Sequence, residues 1–232
     1  MIDPNNKYTK MQEKFYDKSA SVMAQTDHNH HNGNPDYWEI LLKPLVSDSA
    51  QWKDKYALDL GCGTGRNIQN LLNNAYWARV DGVDISYENL KYAEHRILMH
   101  FNEDEFKLFK SNGVDLRELQ SDFYHFVMST IMLQHIAVHE IRYSLLEEVY
   151  RVLKPGGLIS FQMGFGEGYG KAAYYENHYE ATETNTKHDV IVVDPDQIKH
   201  DLEKIGFKDF TYNIRPAFSD GHPKWIYFNA TK

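Results

Sequence analysis

Three glycines alternate with small residues in Gly61-Cys62-Gly63-Thr64-Gly65, directly after the apolar run Ala57-Leu58-Asp59-Leu60. A loop without Cβ atoms lets a ligand come close to a strand-to-helix turn, and glycine tolerates the positive φ such turns often need. Asp84 closes a second apolar run 19 residues after Gly65, where a carboxylate can accept hydrogen bonds from both ribose hydroxyls. Together these residues describe nucleoside binding. The dinucleotide pattern is Gly-x-Gly-x-x-Gly, with a pyrophosphate cradled at the helix N-terminus. Here the third glycine falls one residue early, and Arg66 stands where that pattern wants glycine.

The elements that must carry these residues follow from periodicity. Apolar residues Tyr8, Met11, Phe15, Tyr16, Ala20 and Met23 recur mostly at spacings of three and four, which predicts an amphipathic helix over 7–23. The polar stretch Gln25 to Asn34 is expected to interrupt it. Asn34-Pro35 then reads as the cap and first turn of a second helix, with Tyr37, Trp38, Ile40, Leu41 and Leu42 as its apolar content. Residues 1–50 are therefore expected to form a helical cap over the ligand edge of a sheet. From Tyr56 onward, strand-like and helix-like segments alternate, the signature of an α/β domain with a mostly parallel sheet covered on both faces. Strands are predicted near 56–60, 79–84, 106–110, 124–129 and 157–163, and helices near 64–74, 87–100 and 137–153. A helix near 195–205 precedes strands near 207–214 and 224–230, with no helical pattern between those last two. The stretch 164–194, rich in Tyr and Gly, is long for a connection and is expected to be a substrate-side insertion in a domain spanning 51–232.

The glycine spacing resembles motif I of the class I S-adenosylmethionine-dependent methyltransferases, and later segments resemble that family's motifs in order. Asp84-Ile85-Ser86 with Leu90 and Ala93 resembles the ribose-binding strand end and its helix. Ser111-Asn112-Gly113-Val114-Asp115-Leu116 resembles the loop that edges the adenine. Phe126-Val127-Met128-Ser129 and Leu133-Gln134-His135-Ile136 resemble the fourth strand and the turn beneath the methyl group, and Leu153-Lys154-Pro155-Gly156-Gly157 resembles the turn before the fifth strand. The resemblance covers Ala57 to Met163. It implies a Rossmann-like seven-stranded sheet, mostly parallel with the last strand antiparallel, and S-adenosyl-L-methionine as cofactor. It assigns the cofactor to Asp59, Gly61, Cys62, Gly63, Gly65, Asp84, Ile85, Asn112, Gly113, Val114 and Ser129, with Tyr16 of the N-terminal helix covering it. Tyr16 and Trp38 fit core packing equally well, and Cys62 reads as a small side chain in a tight loop rather than a nucleophile.

Methyl transfer from a sulfonium is an in-line displacement, so alignment of donor and acceptor does most of the catalytic work. A general base helps when the acceptor must lose a proton, and histidine suits that role near neutral pH. His135 follows the fourth strand at the carboxyl edge of the sheet, where open α/β sheets bind ligands. It is either the base or a local hydrogen-bond partner that shapes the pocket. His28, His30 and His31 form a second cluster expected between the two N-terminal helices, as base, phosphate donor or polar loop. Without cysteines or a matched carboxylate set they define no coordination shell, and no metal is expected. Trp38, Tyr174, Tyr175 and Tyr179 are candidates to wall the acceptor, and Arg215 and His222 to bind a phosphate or carboxylate.

With 232 residues, 42% hydrophobic and 25% charged, the chain has material for one globular domain with an ample core. A formal charge of −8 lacks the broad basic surface of a phosphate-backbone binder, which argues against an RNA methyltransferase. No apolar run approaches a membrane span, the N-terminus carries no secretory signature, and a single cysteine excludes an intrachain disulfide, so a cytoplasmic protein is expected. The expected partner is a small-molecule acceptor, with no nucleic acid or membrane; a homodimer stays open. A sugar or sugar-linked hydroxyl is the leading acceptor, because the tail loosely resembles methyltransferases of bacterial surface-glycan pathways. An amine such as a phosphobase is the alternative. A protein methyltransferase, a nicotinamide oxidoreductase and a nucleoside-binding protein without chemistry are the remaining rivals.

Overall fold

The computed structural model describes residues 2–31, 49–74, 77–167, 172–181, 189–217 and 222–232; of 26–31, 49, 50 and 74 it describes the backbone alone. Nine strands are present among them: β1 Tyr56–Leu60, β2 Arg79–Asp84, β3 Leu108–Lys110, β4 Tyr124–Ser129, β5 Leu153–Phe165, β6 Ala172–Ala173, β7 Val190–Ile191, β8 Lys208–Pro216 and β9 Lys224–Thr231. The helices are α1 Lys7–His31, α2 Arg66–Asn74, α3 Tyr87–Leu98, α4 His139–Val152 and α5 Pro195–Ile205. Seven strands form one sheet in the order β3-β2-β1-β4-β5-β9-β8. β9 runs antiparallel to both its neighbours, and the pairings among the first five strands are all parallel. This is the sheet expected from the sequence.

β1 and β2 are buried continuously rather than alternately, as strands covered on both faces of a parallel sheet must be. One core lies on each face. β9 shows the division: Ile226, Phe228 and Ala230 point into the core beneath α4 and α5, while Trp225 and Tyr227 join Trp52, Trp77 and the residues of α2 and α3. The order reverses between β1 and β4, so a crevice opens at their carboxyl ends, next to the glycine loop.

Two boundaries differ by more than two residues from the sequence reading. α1 does not stop at Gln25 but continues to His31. Gln25 to His31 is polar yet contains neither glycine nor proline, so the change of polarity alters the helix's surface without breaking its backbone. His28, His30 and His31 therefore sit on the last turns of α1 rather than in a loop between helices; their side chains lie outside the described residues. The expected helix after Asn34, with Trp38, lies outside them as well. β5 starts at Leu153 rather than near 157, because the chain pairs Leu153 with Tyr124 and then shifts register around Gly156, at φ +76°, before Leu158 pairs with Phe126.

α1 is fixed along α3. Asp17 accepts from the Ser86 hydroxyl at 2.7 Å and from the Glu88 amide at 3.2 Å, and Glu13 pairs with Lys110 at 2.7 Å. Ser86 is itself the α3 N-cap, accepting from Asn89 N at 3.0 Å. The insertion folds back through the small β6–β7 pair, and after Val192-Val193 the chain enters α5 with Asp194 as N-cap, in a capping box with Gln197, and Pro195 at the first helical position.

Candidate active site

A cavity of about 770 Å³, open to solvent, lies at the carboxyl ends of β1, β2 and β4 beneath α1. Its floor holds Gly61, Gly63 and Asp84. Gly63 sits at φ +52°, and a Cβ there would meet nothing within 4 Å, so the loop leaves room for a ligand. Gly65, at φ +81°, serves a different purpose: a Cβ there would come within 3.0 Å of Ala93 on α3. It faces the helix packing and not the cavity.

Asp84 is held by Gly63 N at 2.9 Å, Ser86 N at 2.8 Å and the Asn89 carboxamide at 3.4 Å. Burial raises its carboxyl above the usual range, and the Ser86 and Gly63 amides oppose that shift. Behind the loop, Asp59 is fully buried and its pKa is pushed up to about 7 by desolvation. Arg66 and Asn67 oppose the rise, and the Asp84 charge adds to it.

The opposite wall is the turn after β4. Ile131 has φ +55°, a conformation rare for a β-branched residue and costing on the order of 1–3 kcal/mol. Its amide donates to the buried Gln162 Oε1 at 2.8 Å, Gln162 Nε2 donates to Gln134 Oε1 at 3.3 Å, and Gln134 reaches His222 at 3.4 Å. Met132 lies over Gly61. His135 follows on the cavity wall, with Nδ1 2.8 Å from Asp189 Oδ1 of the insertion. Tyr8 and Gln12, one helical turn apart on α1, tie this turn down. Gln12 donates to the His135 carbonyl at 2.9 Å and to the Tyr8 hydroxyl at 2.6 Å, and Tyr8 accepts from Ala137 N at 2.6 Å. The buried Arg142 donates to the carbonyls of Ile136 and Tyr174.

The expected residues divide accordingly. Tyr16, Gly61, Gly63, Asp84, Ile85, Gly113 and His135 all line the cavity. Asp59 and Gly65 support the loop from behind. Asn112, Val114, Cys62 and Ser129 do not line this cavity, and their side chains are engaged in the framework. The Asn112 carboxamide is consumed within its own loop, accepting from Val114 N at 2.9 Å and Asp115 N at 3.0 Å. Val114 is buried in the core. Ser129 donates to the Leu60 carbonyl at 2.8 Å, joining two strand ends. Cys62 is buried, with its thiol pKa well above the ordinary value through desolvation.

Of the expected acceptor residues, the described ones do not line the cavity. Tyr174 is buried beneath the Arg142 guanidinium, Tyr175 donates to the Gln197 carbonyl at 3.1 Å, and Tyr179 donates to Glu140 at 3.1 Å while its ring meets Tyr8 edge-on. They fold the insertion onto α4, α5 and α1. His222 is 4% exposed, with Nε2 donating to the Val190 carbonyl at 3.3 Å, so it buttresses the turn instead of meeting solvent. Arg215 on β8 lies over the Tyr227 ring, away from the cavity. Sequence reasoning missed Gln12, Thr9, Met23, Met132 and Asp189. The spacing of Tyr8, Gln12 and Tyr16 on one helix face was the available signal for α1, whereas nothing local marked Asp189.

A family model described as a methyltransferase domain matches residues 58–161. Human thiol S-methyltransferase TMT1B is 33% identical over 131 residues, 54% of this chain and 49% of that protein. The demethylmenaquinone methyltransferase of Symbiobacterium thermophilum is 32% identical over 123 residues, 52% of this chain and 47% of that one. The chain spans about half the length of these curated relatives. A solved structure of Haemonchus contortus phosphoethanolamine N-methyltransferase 2 with S-adenosyl-L-methionine superposes with a TM-score of 0.66 at 18% identity, over 94% of this chain and 60% of that one. Residues 58–161 thus match a methyltransferase domain, and the seven-stranded sheet has the fold of the S-adenosylmethionine-dependent methyltransferases. The open space at Gly63, the buried Asp84 carboxylate and the glycine at 113 fit that cofactor's nucleoside.

Proposed function

We propose that this protein transfers a methyl group from S-adenosyl-L-methionine to a hydroxyl of a small, neutral, polar metabolite, a sugar or sugar-linked group. Bound there, the cofactor would supply an electrophilic methyl carbon to the acceptor oxygen's lone pair, with sulfur keeping the electron pair of the bond that breaks. Asp84 holds the ribose of the nucleoside, the open space at Gly63 admits it, and Tyr16 on α1 covers it. His135 receives the acceptor's proton.

The observation that carries this reading is the composition of the cavity wall. Among the described residues it holds one histidine and one carboxylate but no lysine or arginine. A phosphorylated acceptor would be desolvated there without a cation to pair with it, whereas a neutral hydroxyl needs only a base.

Calorimetry comparing S-adenosylhomocysteine with NADH tests the cofactor, with binding of the first alone expected. A panel of neutral sugars, phosphosugars and phosphoethanolamine with isotopically labelled methyl donor tests the acceptor. Label on a neutral hydroxyl is the expected result, and label on phosphoethanolamine nitrogen would replace this reading with amine methylation.

A further inference from the structure

We infer that Asp189, contributed by the insertion, is the positioning residue that sets His135 up as a base, so that the insertion completes the catalytic site and does more than cover it. The inference rests on the role given to His135 above. Asp189 is buried and lies 2.8 Å from His135 Nδ1, while His135 remains partly exposed on the cavity wall. A carboxylate oxygen can only accept from that nitrogen when the acid is ionised, so Nδ1 carries the hydrogen and Nε2 keeps its lone pair. Nε2 has no protein hydrogen-bond partner among the described residues.

The backbone on both sides of this contact is fixed independently. Asp189 precedes β7, and its carbonyl accepts from Ala172 N at 3.0 Å, which ties it to β6. The His135 turn is held by Gln12, Tyr8 and Arg142. With both backbones fixed, the ring is left with one orientation and one tautomer. During transfer the acceptor's hydroxyl proton moves to Nε2, and the hydrogen on Nδ1 stays shared with Asp189. The positive charge that leaves the sulfonium thus ends on an imidazolium beside a buried carboxylate, which favours the charge where it forms.

Nitrogen-15 NMR of histidine-labelled protein, without ligand and above the pH at which its histidines are charged, reads the tautomer directly, with the His135 signal assigned by its loss in His135→Asn. Wild type is expected as the Nδ1–H form, and Asp189→Ala as mainly the Nε2–H form that free imidazole prefers. Asp189→Ala should also lower turnover of the acceptor found above by about 100-fold or more at unchanged KM. Its affinity for S-adenosylhomocysteine should stay within about twofold, since Asp189 is not on the cavity wall. Asp189→Glu is expected to restore the tautomer and part of the rate. Retention of the Nδ1–H form in folded Asp189→Ala, or a loss of S-adenosylhomocysteine affinity equal to the loss of rate, would overturn the inference. Should Asp189→Ala fail to fold, the tautomer in Asp189→Asn decides, a wild-type signal counting against it. The NMR result does not depend on methyl transfer, so a correct tautomer with no methylation in the panel would count against the proposed function alone.

Discussion

The glycine-loop side of the cavity and the His135 side are assembled by different means. Asp84 takes its hydrogen bonds from residues 2, 5 and 21 positions away, all within one strand–helix–strand–helix stretch. The His135 turn takes its bonds from Gln12, 123 residues earlier, from Tyr8, 129 residues before Ala137, and from Asp189, 54 residues later. The first side is complete once a short stretch folds. The second exists only after the N-terminal helix and the insertion have docked, so it is the side free to vary with the acceptor while the cofactor site stays fixed.

The largest expected effect tests whether the two sides act separately. His135→Asn should lower turnover at saturating substrates by about 100- to 10,000-fold, the usual contribution of a general base, with S-adenosylhomocysteine affinity nearly unchanged. Initial rates and calorimetry on one preparation read both quantities. A normal rate would remove His135 as a base, and a matching loss of affinity would mean that the two sides form a single unit.

Asp84→Ala is the reciprocal variant. It removes charge-assisted hydrogen bonds worth about 1.5–3 kcal/mol, so S-adenosylhomocysteine should bind roughly 10- to 150-fold more weakly. Unchanged affinity in calorimetry would take the ribose role away from Asp84.

The same contrast explains what could be read from the amino-acid order. The Gly61–Gly65 loop, Asp84 and the strand order are local or periodic features, and they were foreseen. Ser129 and Asn112 also occupy the expected places, but their side chains turn into the framework because a nearby backbone group takes the hydrogen bond. Asp189 was not foreseen because its importance comes from a contact across 54 residues. His222 and Tyr174 look like ligands in composition, yet burial at the centre of the insertion's packing converts both to supports.

Gly63 and Gly65, two residues apart, separate ligand space from packing space inside one loop. Gly65→Ala forces a Cβ against Ala93 at a positive φ and should cost about 2–3 kcal/mol of unfolding free energy. Gly63→Ala meets open space and should cost about 1 kcal/mol of stability for its left-handed backbone, with its main effect on S-adenosylhomocysteine affinity. Denaturant titrations of the two variants check the difference, and equal stability losses would deny that Gly63 faces the ligand.

Asp59 extends the comparison to pH, because it belongs to the local side but does not line the cavity. Its pKa of about 7 in the folded chain lies above the ordinary carboxylate value. Between about pH 4 and 7 the folded chain therefore holds a proton that the unfolded chain has released. Stability falls as the pH rises through that window and levels off above it. Asp59→Asn keeps the neutral shape at every pH and removes this slope. Measured against the variant, wild type should lose about 1.4 kcal/mol of unfolding free energy between pH 6 and pH 8, one pKa unit's worth of linkage. Urea titrations at the two pH values read it. A difference independent of pH would mean that Arg66 neutralises Asp59 completely, making the loop's support an ion pair in place of a buried neutral acid.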